Sequence, residues 1–386
     1  MKPFTLIHVS DLHIGRILYS FSLLQQQKEV LSQIISHAKE QNADAVLLSG
    51  DIYDRAMPSG DAVSLFDSFL TGMVKELGVP VIIISGNHDS PERLGFSAKL
   101  LEKSGVYLRT SLSSIEEPVL LRNEDGELQV FTLPFVEPVR VRSEFDQQEV
   151  NDHNSAVSFC VSMMQKHMKD NVPAVLLAHC FAAGSSRSES ERPLQIIGGA
   201  EAVSPEVFSP FTYTALGHLH KPQSVSKDPE VRYSGSIMKY SFSEVSHQKS
   251  ALLVKIHDKK KTEVTSLPLK PKKDLRTITG KFHDLLQKAQ DDENSEDYIL
   301  AVLEDDGPVY DALYRLRELY PNLMHIERKR LKQARENTVQ KKQQVESLSD
   351  LFCTFYFQTA GREISPEKKK VLDAAVNEIT ADGGDT

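Results

Sequence analysis

The chain has 386 residues, of which 40% are hydrophobic and 26% are charged, and its formal net charge is −9 at pH 7. These values describe a globular protein of two or three domains. They exclude a membrane-spanning protein, because no apolar run approaches the roughly 20 residues that a span needs. The acidic balance argues against a free-standing, high-affinity nucleic-acid binder, since lysine and arginine supply most of that affinity. Bound cations or a basic partner would weaken this objection.

Residues 1–270 are predicted to alternate strands and helices. Short runs rich in valine, isoleucine and leucine predict buried strands, which lie at 4–9, 45–48, 81–84, 174–177 and 214–216. Amphipathic helices at 23–40 and 61–77 separate the first three runs, and this alternation favours a mainly parallel sheet. Shorter strands at 250–256 and 262–267 are expected to complete a second sheet. The expected fold class is α/β, with the two sheets packed as an αββα sandwich.

Beyond residue 270 the pattern predicts a smaller unit and a tail. Residues 271–330 are predicted to form an α/β capping domain whose elements are strand 275–279, helix 282–289, strand 298–303, helix 309–319 and strand 323–327. Residues 331–386 begin with a basic stretch, and two amphipathic helices are predicted to start near Ser347 and Ser365. These helices either dock on a partner, which we favour, or pack on the chain's own core.

The cysteines favour a reducing compartment. Cys160, Cys180 and Cys353 have no CxxC spacing and cannot form a fully paired disulfide framework. The chain opens directly on a strand pattern, which is unlike a secretory signal peptide. We therefore expect a cytoplasmic protein without membrane attachment.

Each of the five predicted strands is followed by side chains that bind metals or move protons. In chain order these residues are Asp11, His13, Asp51, Asn87, His88, Asp89, His179, His218 and His220. Because the carboxyl ends of strands in such a sheet meet at one edge, we expect these side chains to lie along one rim. Carboxylate, imidazole and amide ligands suit a pair of hard or borderline divalent cations.

The spacing of these residues also has a physical reason. Residues two apart in an extended segment point to the same side, so Asp11 and His13 can hold one metal together, and His218 and His220 can approach one cluster. A glycine precedes the ligands in three of the motifs, where it allows a sharp turn and a close approach to the metals.

The motifs D-x-H, G-D, G-N-H-D, H and G-H-x-H, in this order, resemble the calcineurin-like metallophosphoesterase superfamily. Within it the chain is similar to the SbcD-like nucleases, and this narrower resemblance rests on residues 50–54, 198–201, 215–220 and 232–236. It implies a metallophosphoesterase sandwich over 1–270, a capping domain over 271–330 and a partner-binding helical segment over 331–386. The capping domain would shape the access of DNA to the metals.

The resemblance also implies a role for each motif residue. One cation would be held by Asp11, His13, Asp51 and His220. The other would be held by Asp51, Asn87, His179 and His218. His88 would face the substrate as a general acid, or else only complete a hydrogen-bond network, and Asp89 would orient it. Some relatives carry a histidine at the position of Asp54, so this residue receives a supporting role only.

The implied function is that of a DNA nuclease subunit with two divalent cations. Manganese is the implied metal, and the donor set leaves iron and zinc open. The implied activities are 3′-to-5′ exonuclease and single-strand or hairpin endonuclease cleavage in DNA repair, recombination and replication. The implied partner is an SbcC-like ATPase, in a heterotetramer with two copies of each chain.

Several alternatives stay open at this point. A phosphodiesterase or phosphatase for a small molecule or a phosphoprotein would use the same metal site. A non-enzymatic scaffold is disfavoured, because no expected ligand is missing. The lysine-rich stretch 255–273 is either a solvated face, which we favour, or a DNA contact. The serine-rich loop 182–199 directly follows His179, and we expect it to form a lip beside the site.

Overall fold

The structure, a computed structural model, describes residues 2–188, 191, 202–329, 349, 352, 353, 356, 364–366 and 368–373. The strands are β1 (Phe4–Val9), β2 (Ile17–Leu18), β3 (Phe21–Ser22), β4 (Ala45–Ser49), β5 (Val81–Ile84), β6 (Val106–Arg109), β7 (Val119–Asn123), β8 (Gly126–Leu133), β9 (Ala174–His179), β10 (Tyr213–Gly217), β11 (Gln223–Lys227), β12 (Glu230–Tyr233), β13 (Ser250–Ile256), β14 (Thr262–Pro268), β15 (Leu275–Gly280), β16 (Tyr298–Leu303) and β17 (Leu323–Arg328). The helices are α1 (Leu24–Glu40), α2 (Gly60–Thr71), α3 (Pro91–Leu94), α4 (Ala98–Glu102), α5 (Pro138–Phe145), α6 (His153–Gln165), α7 (Phe282–Lys288) and α8 (Ala312–Arg317).

Two six-stranded sheets form the larger part of the molecule. The first has the order β14-β13-β1-β4-β5-β6, in which β1, β4, β5 and β6 run parallel. The second has the order β11-β12-β10-β9-β8-β7, in which β8, β9, β10 and β12 run parallel. Every residue of β1, β4, β5, β9 and β10 is buried, because both faces of each sheet are covered.

The core consists of layers on either side of these sheets. Leu47 and Ile82 of the first sheet meet Val175 and Leu177 of the second in the layer between them. Helices α1 and α2 cover the outer face of the first sheet, and α5 and α6 cover the outer face of the second. This arrangement confirms the predicted αββα sandwich.

The hairpin of β13 and β14 corrects one detail of the prediction. It belongs to the first sheet, where Leu253 of β13 pairs antiparallel with Ile7 of β1. The second sheet is instead completed by β11 and β12. The residues of a strand indicate that it is buried, but they do not indicate which distant strand it pairs with.

The same register locates the basic turn between β13 and β14. Phe4, at the start of β1, pairs with Ile256, at the end of β13. The lysines at 259–261 therefore lie at the opposite end of the sheet from the residues that follow β1, which supports a solvated face for this part of the lysine-rich stretch.

Two predicted helices differ from their observed bounds. The helix expected over 61–77 is regular only to Thr71 and continues as a π-helical turn over Gly72–Glu76. The helix expected over 309–319 is shorter, because Asp311 has a left-handed backbone with φ of 53° just before Ala312.

The third sheet forms the predicted small α/β cap. Its parallel strands β15, β16 and β17 pack with α7 and α8 around a core that includes Ile299 and Leu316. The cap also contacts the two-sheet part, since the Tyr298 hydroxyl donates to Gln26 of α1 at 2.9 Å. The division into segments 1–270, 271–330 and 331–386 remains a prediction.

The predicted C-terminal helices lie mostly outside the described residues. Residues 368–373 are helical, and the Ser349 hydroxyl donates to the carboxylate of Asp373. Within the described part of the chain, no helix is long and apolar enough to cross a membrane.

Candidate metal centre

The loops that follow β1 and β4 run side by side at the carboxyl ends of the strands. The backbone N–H of Asp11 donates to Gly50 at 3.1 Å, and that of His13 donates to Asp51 at 3.0 Å. These hydrogen bonds place the three side chains Asp11, His13 and Asp51 next to one another. All three are buried, and none is more than 2% exposed.

The backbone of these loops differs from the extended chain that the spacing argument assumed. Asp11, His13 and Asp51 have φ angles of 51°, 43° and 50°, and His218 has 110°. Asp11 and His13 nevertheless reach the same site, through left-handed turns rather than through strand alternation. Such a backbone costs energy in residues with a side chain, and it persists only where its surroundings hold it.

Helix α1 and Tyr240 help to hold the loop that follows β1 in this conformation. The side-chain amide of Gln27 donates to the carbonyl oxygens of Leu12 and His13 at 3.2 and 2.7 Å. The Tyr240 hydroxyl also donates to the Leu12 carbonyl and accepts from Gln27 at 3.1 Å. These buried contacts hold the backbone that presents His13.

Asp51 lies at the centre of the site. Its Oδ2 atom is 3.7 Å from Nε2 of His13, 3.6 Å from Nε2 of His179 and 4.0 Å from Nε2 of His88. Its Oδ1 atom accepts the backbone N–H of His88 at 2.8 Å. One carboxylate oxygen thus faces histidines from both sheets.

The other expected ligands form a group on each side of Asp51. On one side, donor atoms of Asp11, His13 and His220 lie within 4.8 Å of one another, and the two Nε2 atoms are 3.1 Å apart. On the other side, Oδ1 of Asn87 is 3.0 Å from Nε2 of His179 and 3.1 Å from Nδ1 of His218. The structure therefore brings all seven expected ligands together.

At two of the glycines that precede expected ligands, neighbouring atoms come too close to leave room for a side chain. A Cβ atom on Gly86 would lie 2.2 Å from Oδ1 of Asp51, and one on Gly217 would lie 1.9 Å from the Ser49 carbonyl oxygen. Neither distance is possible for a real side chain. The glycines therefore let β5 and β10 end directly against the loop that carries Asp51.

Burial controls the charge of the side chains in this site. It lowers the pKa of His13, His179 and His218, so these imidazoles are neutral and keep a lone pair. Burial also raises the pKa of Asp11, and the nearby Asp51 carboxylate raises it further. Neutral imidazoles facing crowded, buried carboxylates are the donor set that a divalent cation stabilises.

Comparisons with known proteins identify the family. A model for calcineurin-like phosphoesterases matches residues 4–222, and the Type 5 capsule protein repressor C-terminal domain (SbcD_C) matches residues 271–359. The SbcD subunit of the nuclease SbcCD from Staphylococcus epidermidis is 34% identical over 321 residues, which are 83% of this chain and 84% of the relative. The corresponding subunit from Staphylococcus saprophyticus is 32% identical over 380 residues, 98% of this chain and 99% of the relative.

The chain belongs to the calcineurin-like phosphoesterases, in the branch of the SbcD nuclease subunits. This membership confirms the predicted superfamily, the predicted hydrolase and the predicted nuclease subunit. Among solved structures, a dimetal phosphatase from Danio rerio is 10% identical, with 68% of this chain and 98% of that chain covered and a TM-score of 0.41.

In this phosphoesterase His88 is oriented by a backbone group. Its Nδ1 atom lies 3.1 Å from the carbonyl oxygen of Asp54, so this nitrogen carries the proton and Nε2 faces Asp51. The Asp54 carboxylate accepts from Arg16 at 2.6 Å. The Asp54 Oδ1 atom also lies 3.7 Å from Nδ1 of His13, so Asp54 contacts the site through both its backbone and its side chain.

Asp89 has different partners from those expected. Its carboxylate accepts the backbone N–H groups of Ile52, Tyr53 and Gly86 at 3.1, 3.0 and 2.9 Å, and among the described residues no hydrogen bond joins it to His88. Burial, together with the charge of Asp51, raises its pKa to about 7. Asp89 thus ties together the loops after β4 and β5 and does not orient the His88 ring directly.

The sequence patterns missed one buried pair behind His220. Glu244 accepts from Nδ1 of His220 at 3.2 Å, and Lys249 donates to Glu244 at 2.5 Å. Burial alone would raise the pKa of Glu244, but the bonds from His220 and Lys249 lower it to about 2. The segment from Ser241 to Glu244 has the S-x-x-E pattern of an exposed helix start, which gives no sign that Glu244 is fully buried.

The loop after β9 is only partly within the described residues. Glu191 accepts the backbone N–H of His220 at 2.6 Å, so this part of the loop touches the site. Most of the expected lip, and the segment 198–201 that contributed to the family resemblance, lie outside the described residues.

Proposed function

We propose that the seven converging side chains hold two divalent cations. Asp11, His13, Asp51 and His220 would hold one, and Asp51, Asn87, His179 and His218 would hold the other, so Asp51 would belong to both ligand sets. The observation that carries this proposal is the position of the Asp51 Oδ2 atom, 3.6 and 3.7 Å from histidine nitrogens of the two groups. Such distances are too long for hydrogen bonds, whereas one shared oxygen suits two adjacent cations.

The residues present fit such a centre chemically. Nε2 of His13 and Nε2 of His220 face each other at 3.1 Å, and the pKa of His13 is lowered by burial. Without a cation, two crowded imidazoles beside two buried carboxylates raise the free energy of the folded protein, because burial disfavours the carboxylate charges. When bound, two cations supply Lewis acidity toward a phosphodiester and a nucleophile derived from water. Manganese is the cation we propose.

His88 is the proposed general acid. The Asp54 carbonyl fixes the proton on Nδ1, so a protonated His88 presents Nε2–H toward the centre. There it can stabilise or protonate the sugar oxygen that leaves when the phosphodiester is cleaved. Its ring packs edge-on against that of His13, with centroids 4.7 Å apart, and this contact limits its rotation.

DNA is the proposed substrate, and the proposed activities are 3′-to-5′ exonuclease and single-strand or hairpin endonuclease cleavage in repair, recombination and replication. The relatives named as SbcD subunits of the nuclease SbcCD support this choice over a small-molecule or phosphoprotein phosphatase. The proposed partner is an SbcC-like ATPase, in a heterotetramer with two copies of each chain. A reducing, cytoplasmic location agrees with the described cysteines, which are all free thiols.

The experiment is a cleavage assay on metal-stripped protein with added manganese chloride. Hairpin, single-stranded and duplex DNA with 3′ or 5′ labels are compared with a cyclic nucleotide and a phosphoserine peptide. We expect DNA cleavage with shortening from the 3′ end, and an Asp51→Asn control without activity. Hydrolysis of the cyclic nucleotide or the phosphopeptide, with intact DNA, would overturn the nuclease proposal.

The partner proposal has its own experiment. The full chain and a chain lacking residues 332–386 are each co-expressed with the tagged SbcC-like ATPase of the same organism. We expect the full chain to co-purify and to show ATP-stimulated cleavage of duplex ends. The shortened chain should still cleave single-stranded DNA but should not co-purify. A shortened chain that aggregates or loses its metals would assign the tail to the core instead.

A further inference from the structure

His220 differs from two other histidines of the centre in the group that fixes its ring. Nδ1 of His179 lies 2.8 Å from the Ser49 carbonyl oxygen, and Nδ1 of His88 lies 3.1 Å from the Asp54 carbonyl oxygen. Nδ1 of His220 instead lies 3.2 Å from the carboxylate of Glu244. A carboxylate partner makes an imidazole a stronger metal ligand than a neutral carbonyl does.

Glu244 is itself held rigidly. It is fully buried, and Lys249, only 5% exposed, donates to its other carboxylate oxygen at 2.5 Å. The same ammonium group donates to the backbone carbonyl of His220 at 2.7 Å and to the Ser236 hydroxyl at 2.8 Å. The pair therefore fixes both the ring and the backbone of His220.

A contribution to folding stability does not explain why this ion pair is buried. Removing two charges from water is costly, and apolar residues of similar volume often stabilise a protein equally well. The contacts of Glu244 and Lys249 converge on His220, so the pair is placed to act on this residue.

We propose that Glu244, held by Lys249, is a positioning residue that makes the cation site containing His220 the tighter of the two. This inference rests on the proposed dinuclear centre. The site with Asp11 and His220 has two carboxylates and a carboxylate-supported imidazole. The other site shares Asp51 and has the neutral amide of Asn87 in place of a second carboxylate. Manganese should therefore fill the His220 site first.

The test is a titration of metal-stripped protein with manganese. Calorimetry and the EPR signal of free Mn²⁺ both monitor the binding. The wild type should bind two ions with distinct affinities. Glu244→Gln should weaken the tighter site by about 10- to 100-fold and leave the weaker site within about 2-fold. Glu127→Gln is the matched control, because Glu127 also bonds two cationic side chains, Lys169 and Arg122, but at the far end of β8.

A second variant separates positioning from folding. Glu244→Gln leaves Lys249 as an uncompensated buried charge, whereas the double variant Glu244→Gln/Lys249→Met removes both charges and keeps an acceptor for His220. We expect the double variant to fold, as judged by circular dichroism, and to show the same selective loss. Unchanged affinity, equal weakening of both sites, or a double variant that does not fold would overturn the positioning role. A wild type that binds fewer than two ions would instead overturn the dinuclear centre.

Discussion

The Nδ1 atom of His88 lies 3.1 Å from the backbone carbonyl oxygen of Asp54, a residue that follows a different strand of the first sheet. A backbone partner cannot be removed by changing a side chain, so the orientation of His88 is tied to the path of the loop after β4. The Nε2 atom that remains is 4.0 Å from Oδ2 of Asp51, and donor atoms of His13, Asp51 and His88 lie within 4.8 Å of one another, so His88 reaches the centre without being one of the seven proposed ligands.

His88→Ala should therefore keep the metals and lose turnover. We expect two bound ions per chain and a kcat on DNA lowered by roughly 10²–10⁴, the usual range for a lost general acid. Metal analysis and steady-state cleavage on the same preparation check this prediction. Loss of metal in proportion to activity would make His88 a ligand instead.

Asp51→Asn should behave in the opposite way. An amide offers one neutral oxygen and bridges two cations poorly, so metal content and DNA cleavage should fall together. The fold should survive, because the surrounding sheets have their own buried core. Thermal unfolding of the metal-stripped variant should stay close to that of the stripped wild type. Full metal occupancy with persistent cleavage would show that Asp51 does not bridge.

The strands and the convergence of the side chains that follow them were predictable because both depend on local patterns. A run such as 81–84 is apolar throughout, and Asn87 stands three residues after its end. The roles of Asp89 and Glu244 were not predictable in the same way. Asp89 bonds the backbone of Ile52, and Glu244 bonds His220, so each role depends on a partner more than 20 residues away that no local pattern specifies.

Backbone conformation is a second limit of the sequence argument. The spacing of Asp11 and His13 suggested an extended segment, but both residues have a left-handed backbone. Gln27 of α1 holds that conformation from outside the motif. Packing against another element therefore helps to hold the loop geometry.

Gly217→Ala should damage the centre through the backbone. The added Cβ would lie 1.9 Å from the Ser49 carbonyl oxygen and 2.9 Å from Nδ1 of His179, so β10 and β4 must separate. We expect the free energy of unfolding to fall by about 3 kcal/mol or more, with loss of metal. Gly60→Ala is the control, because nothing lies within 4 Å of its new Cβ and the change should not exceed about 1 kcal/mol. Equal stabilities in urea for the two variants would contradict the steric argument.

The final prediction concerns His8, which lies between the two sheets with Nδ1 2.9 Å from the Tyr213 hydroxyl. Burial lowers its pKa from 6.5 to about 3, so the folded protein keeps it neutral while the unfolded chain protonates it below about pH 6.5. Its contribution to stability is thus complete above that pH and is lost as the pH falls toward 3. The glutamine of His8→Gln cannot be protonated, whereas both proteins keep all the other histidines, so the difference between them isolates His8. When the pH is lowered from about 7.5 to about 5, the free energy of unfolding of the metal-stripped wild type, measured with urea, should fall by about 2 kcal/mol more than that of the metal-stripped variant. Parallel stability curves for the two proteins would show that His8 does not titrate as its burial implies.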